Sequence, residues 1–143
     1  MYERDYIMRL ITQVGQVLRA MMHALREQRP DDALEAARDA VIALTDADPS
    51  LVDAMTAEGL VTFLSAGGRI DVPRCRMLAE VFITRADAHE ALGDSRRASI
   101  DRDRALALLD AAGLEAEGEE AERIDVLRDD LLGRSDQPVP ETS

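Results

Sequence analysis

Side chains of the types that do chemistry stand at only a few places in this 143-residue chain. Cys75 follows Pro73 at the expected start of a helix, between Arg74 and Arg76. There the positive end of the helix dipole and two guanidinium groups would lower a thiol pKa. A cysteine nucleophile also needs a base, and neither His23 nor His89 is near in sequence. The expectation is an inert or incidentally reactive thiol, with a cysteine-dependent enzyme as the remote reading. The two histidines fall on different helices without the further ligands of a metal site. In Asp87-x-His89 the side chains leave a helix on roughly opposite faces, which defeats a shared ion. Asp101-Arg102-Asp103-Arg104 resembles a carboxylate pair only on paper, because residues two apart on a helix diverge by ~200°. Gly67-Gly68 lacks the preceding strand and the following Lys-Ser/Thr of a phosphate loop, and reads as a turn at a helix end. The sequence thus assigns no catalytic, cofactor-binding or metal-ligating residue, and the chain reads as a non-enzyme.

The elements carrying these residues are helical throughout. Helix one is expected from Tyr2 to Glu27, with apolar residues at 3/4 spacing from Tyr2, Tyr6 and Ile7 through Leu25. Pro30 with Asp31 and Asp32 opens helix two, which runs to Leu44. Asp48-Pro49 starts a middle helix that Thr56, a second cap, can break. Asp71 and Pro73 start helix four, to Leu92, with a buried stripe of Leu78, Ala79, Phe82, Ala86 and His89. Helix five spans Ser95 to Ala112 with Gly113 as its stop. Helix six follows the acidic stretch Glu115–Glu122 and buries Ala121, Ile124, Leu127 and Leu131. No segment alternates with a period of two, so the expected class is all-α, about six helices. One domain covers 1–133, and 134–143, with Pro138 and Pro140, should be a disordered tail.

A short pattern occurs twice. Ala33 and Ala40, and Ala98 and Ala105, are alanines seven residues apart, each pair following a break after a long amphipathic run. Small residues at that spacing let two helices approach closely. A helix, a tight turn and an Ala-x6-Ala helix make a tetratricopeptide-like hairpin. The copies start 65 residues apart, close to two periods of about 34. His89 stands where an aromatic is usual, and Gln28 replaces the turn glycine. The middle helix does not fit the repeat, so the reading is two hairpins around an irregular middle helix.

The opening Met1-Tyr2-Glu3-Arg4-Asp5-Tyr6-Ile7-Met8-Arg9-Leu10-Ile11 resembles that of a small family of uncharacterised bacterial proteins with a tetratricopeptide-like fold, which open on a MYE-x-DYIMR segment. The resemblance extends over the hairpins and the middle helix, about residues 1–112. It implies that fold and transfers no functional residue.

The net charge of −12 argues against nucleic acid, whose binding comes mainly from neutralised phosphates. No segment approaches the ~20 apolar residues of a membrane span. The first helix is too charged for a signal peptide, and a lone cysteine cannot close an internal disulfide. The expected location is cytoplasmic. These features point to a non-catalytic protein–protein interaction or scaffold module that self-associates, with a small-ligand-binding regulatory domain as the alternative. Two surfaces are candidates. Tyr2, Tyr6, Ile7, Leu10 and Ile11 extend beyond the reach of helix two and would form an exposed interface for a homodimer, unless helices three and four fold back over them. The groove of the hairpins would carry Leu18, Met22 and Leu25 from the first copy, and Glu80, Ile83, Asp87 and Glu90 from the second. An acidic and apolar groove suits a basic amphipathic helix, unless Leu60, Phe63 and Leu64 of the middle helix fill it.

Overall fold

A computed structural model of the chain describes residues 2–66 and 68–136. α1 (Tyr2–Arg26) turns into α2 (Pro30–Thr45), and α5 (Val72–Ala91) turns into α6 (Ser95–Gly113). The two hairpins close in the same way. The Arg29 N–H donates to the Ala24 carbonyl at 2.8 Å, and the Asp94 N–H donates to the His89 carbonyl at 2.8 Å. The residue before each donor is left-handed, Gly93 at φ 79° and Gln28 at φ 59°. Glycine takes that conformation without cost, whereas a residue with a Cβ pays for it. Gln28 therefore does the work of the missing turn glycine.

Small residues let the helices close. Ala33, Ala37 and Ala40 of α2 and Ala98 and Ala105 of α6 are all completely buried. α5 packs against both helices of the first hairpin as well as against α6, which makes it the centre of the domain. It buries the expected Leu78, Ala79, Phe82, Ala86 and His89, and adds Cys75, Arg76, Met77, Val81, Ile83 and Ala88.

The middle segment is two short helices, α3 (Pro49–Asp53) and α4 (Ala57–Phe63). Asp48 caps the first through the Ser50 N–H at 2.8 Å, and Thr56 caps the second through the Gly59 N–H at 2.9 Å. The break that Thr56 suggested is thus present. α4 packs on α6, with Leu60 and Leu64 joining the core and Phe63 left 44% exposed. Next comes a small antiparallel pair, β1 (Ser65–Ala66) and β2 (Arg69–Ile70), where the sequence suggested only a turn. The fold class is all-α, with seven helices among the described residues. Gly113 does not stop α6 in a left-handed turn; it is the last helical residue, and Leu114 after it keeps right-handed geometry. α7 (Gly118–Asp136) packs on α6 and α5, burying Ile124 and Leu131. It continues past the expected boundary at 133. Residues 137–143, where most of the expected tail lies, are outside the described residues. No described helix is long and apolar enough to cross a membrane.

The expected N-terminal interface needs correction. Leu10 is only 4% exposed and belongs to the core, and Ile7 and Ile11 are half-buried. The start of α5 covers this end of α1. Arg74 donates from Nη2 to the Tyr6 hydroxyl at 2.7 Å and lies over the Tyr6 ring. Tyr6 keeps an exposed face; the Tyr2 side chain is outside those described.

Candidate functional site

A cleft of roughly 400 Å³ opens where α2, α3, α5 and α6 meet. α2 supplies Leu34 and Arg38, α3 Pro49 and Asp53, α5 Arg85 and His89, and α6 Arg97, Ile100, Asp101 and Arg104. Helical spacing explains the convergence. Phe82, Arg85 and His89 share one face of α5, while Ala98, Asp101 and Ala105 share the facing side of α6. A carboxylate on the side of a helix that presses against its partner must be paired, and Asp101 is.

Arg85 donates from Nε to Asp101 Oδ2 at 2.8 Å and from Nη2 to Asp101 Oδ1 at 2.7 Å. This two-pronged geometry is the strong form of the guanidinium–carboxylate pair. Asp101 is 2% exposed. Arg85 also reaches Asp53 at 3.0 Å and lies over the Phe82 ring. Arg104 donates to the backbone carbonyls of Asp53 and Met55, which ties α3 to α6. His89 Nε2 is 3.7 Å from Asp101 Oδ2. Burial lowers the His89 pKa despite that carboxylate, so the ring is neutral at physiological pH. These contacts make a rigid, charged floor. They leave Asp101 no freedom to act as a base, because both of its oxygens already accept hydrogen bonds from a fixed cation.

No protein-family model, no curated protein and no solved structure matches this chain. The function must come from the geometry.

Cys75 departs from the sequence expectation of a lowered pKa. The side chain is completely buried, and burial pushes the thiol up to about 12, with Asp71 adding to the effect. The neighbouring arginines are directed elsewhere. Arg74 is spent on Tyr6, Asp71 and the Leu44 carbonyl, and Arg76 on Glu80 and Glu120. A thiol in that state is not a nucleophile. Among the described residues, no group of three His, Cys, Asp or Glu side chains could hold a metal.

The acidic half of the expected groove is also altered. Ile83 is only 8% exposed and packs in the core. Asp87 and Glu90 both face Arg102 of α6, at 3.4 and 2.8 Å. Glu80 pairs with Arg76 at 2.7 Å, and Arg76 in turn holds Glu120 of α7 at 2.6 Å. The chain thus supplies cations of its own to this face. The sequence placed these acids by face and had no means of assigning Arg102 across helices to Asp87 and Glu90.

Glu80 gives a test of this reading. Burial holds its carboxyl above the ordinary range, against the opposing pull of Arg76 and Arg123. The folded state then binds this proton more readily than the unfolded chain, so the group favours folding at low pH and loses that contribution as pH rises. Glu80→Gln should be at least as stable as the parent at pH 7, with the difference shrinking towards about pH 4. Urea unfolding at both pH values measures this. A clear loss at neutral pH would mean that the Arg76 contact outweighs burial.

Proposed function

We propose that the chain is a non-catalytic protein–protein interaction or scaffold module that self-associates through the outward face of α1. One observation carries this reading. Ile11, Leu18 and Leu25 are seven residues apart, and Met8, Gly15 and Met22 precede them by three, the spacing of a two-position heptad seam. The first set is half-buried against the core, while Met8 and Met22 remain 56% and 49% exposed. This seam takes over part of both expected surfaces, Ile11 from the interface and Leu18, Met22 and Leu25 from the groove.

Gly15 at the centre of the seam supports the choice of occupant. A glycine inside a helix costs about 1 kcal/mol relative to alanine. Nothing among the described residues requires it, because an added Cβ would meet only Arg19 Nη1 at 3.6 Å. A backbone crossing from outside would use the space. A second α1 crossing antiparallel at Gly15 sets Met8 opposite Met22, Ile11 opposite Leu18, and Asp5 opposite Arg26. A parallel arrangement would instead align Arg19 with Arg19 and Arg26 with Arg26. The antiparallel pairing is a closed two-fold interface.

Light scattering at some tens of micromolar should give a dimer mass, a range in which modest helix-pair affinities are visible. Met8→Glu with Met22→Glu should return a monomer with unchanged helical circular dichroism. A monomeric parent would overturn the proposal.

The matching hairpin turns and the buried alanines support a tetratricopeptide-like arrangement, in keeping with the family resemblance of the opening segment. With it we place the protein in the cytoplasm, away from nucleic acid and membranes. The alternative, a small-ligand-binding regulatory domain, is favoured by one specific observation, the cleft lined by His89, four arginines and apolar side chains. The cysteine-dependent enzyme loses its support with the burial of Cys75.

A further inference from the structure

The cleft is basic in an acidic protein. Its lining has four arginines against two aspartates, a balance of +2 with His89 neutral, in a chain of net charge −12. The balance is not spread evenly. Arg85 is matched by Asp101, and Arg104 lies 3.6 Å from Asp53. Arg38 and Arg97 supply the excess, one from α2 and the other from α6. Arg97 pairs at 3.4 Å with Asp94, the N-cap of α6, but the Arg97 side chain is 71% exposed, so the pair is of little energetic value. Arg38 makes no hydrogen bond or ion pair among the described residues. It acts at longer range on Asp48, whose carboxyl is held low mainly by Ser50.

Between these two cations the walls are apolar. Leu34, Pro49 and Ile100 line the cleft, and Ile100 keeps part of its side chain in solvent. Its volume lies within the ~300–1,000 Å³ of small-molecule pockets. The Arg38 fork and the exposed Arg97 fork, the latter held only by Asp94 among the described residues, stand beside an apolar wall and make a recognisable ligand description, since the fork matches carboxylate and phosphate oxygens in geometry as well as charge. The fixed Arg85–Asp101 floor gives the cleft a shape that exists before any ligand arrives.

We propose that this cleft binds a small organic oxyanion, a carboxylate or phosphate monoester with an apolar body, whose anionic group sits between Arg38 and Arg97 and whose body lies on Leu34, Pro49 and Ile100. The proposal rests on the ligand-binding reading given second above and names its ligand class. It is independent of self-association through α1, because neither α1 nor its seam contributes to the cleft.

The test is a nitrogen–proton and methyl NMR titration of the whole chain with matched probes. Phenyl phosphate, benzoate, inorganic phosphate, benzyl alcohol and benzylamine are each added to about 10 mM, enough to detect millimolar affinity. Phenyl phosphate or benzoate should shift the signals of Leu34, His89 and Ile100, and the stronger of the two identifies the oxyanion. Inorganic phosphate should bind more weakly than phenyl phosphate, because it cannot use the apolar wall. The Arg38→Gln and Arg97→Gln double variant should weaken the organic anion at least about tenfold and leave thermal unfolding unchanged. If benzyl alcohol or benzylamine binds the cleft and the anions do not, the ligand class is wrong while the ligand-binding reading stands. If no probe shifts these signals, both fail. Anion binding that survives the double variant also overturns the proposal.

Discussion

Replacing Asp101 with alanine should cost about 3–5 kcal/mol of folding stability, because it leaves a buried guanidinium without its carboxylate. Arg85 is nearly enclosed, and two of its donors are committed to Asp101 at 2.8 and 2.7 Å. Its other acidic partner, Asp53, is half-exposed and contributes one contact at 3.0 Å. A solvated carboxylate on one side cannot replace a buried two-pronged one. Removing both charges is a different experiment. Arg85→Met with Asp101→Leu should recover most of the loss, since an apolar pair of similar volume avoids the desolvation of both ions. Urea unfolding of the three variants separates the two effects. A loss below about 1 kcal/mol for Asp101→Ala would mean that water or Asp53 compensates Arg85 in full.

Asp101 also shows where the sequence was readable and where it was not. Helix positions followed from local signals that act within a few residues: the Asp48, Thr56 and Asp71 caps, the prolines after them, and the 3/4 apolar spacing. Each of those caps accepts its expected kind of backbone hydrogen bond. The alanine pairs announced close helix contacts, and all four are buried. The charged residues misled because their partners lie 12 to 44 positions away. Considered alone, Asp101-Arg102-Asp103-Arg104 is a run of surface charge. Yet Asp101 shares a helix face with Ala98 and Ala105, and Arg85 shares one with Phe82 and His89. Two opposite charges on two faces that must meet would have named the pair. The lowered pKa suggested for Cys75 failed for a related reason. The dipole argument considered only the helix start, whereas burial by the helices packed around it dominates its pKa. The N-terminal stripe could be read either as exposed or as covered by helices three and four, because no local signal says which helix folds back over it.

Phe82 is the other position where a single change should be severe. It is completely buried at the centre of α5, the helix that touches both hairpins and α7. Phe82→Ala should cost about 3–5 kcal/mol, the sum of lost transfer energy and the cavity left behind. Its ring also lies under the Arg85 guanidinium, 4.9 Å from the centroid. Loss of the ring therefore frees the cation that Asp101 holds. Phe82→Leu should cost less, roughly 1–1.5 kcal/mol if the core closes around it. Because Phe82 and Asp101 both touch Arg85, the Phe82→Ala and Asp101→Ala losses should fail to add, with a coupling of at least about 0.5 kcal/mol. Strict additivity would mean that Arg85 does not link the apolar core to the charged floor. A Phe82→Ala loss under about 1 kcal/mol would remove Phe82 from the centre of the core, since a well-packed interior cannot collapse over a cavity of that size without cost.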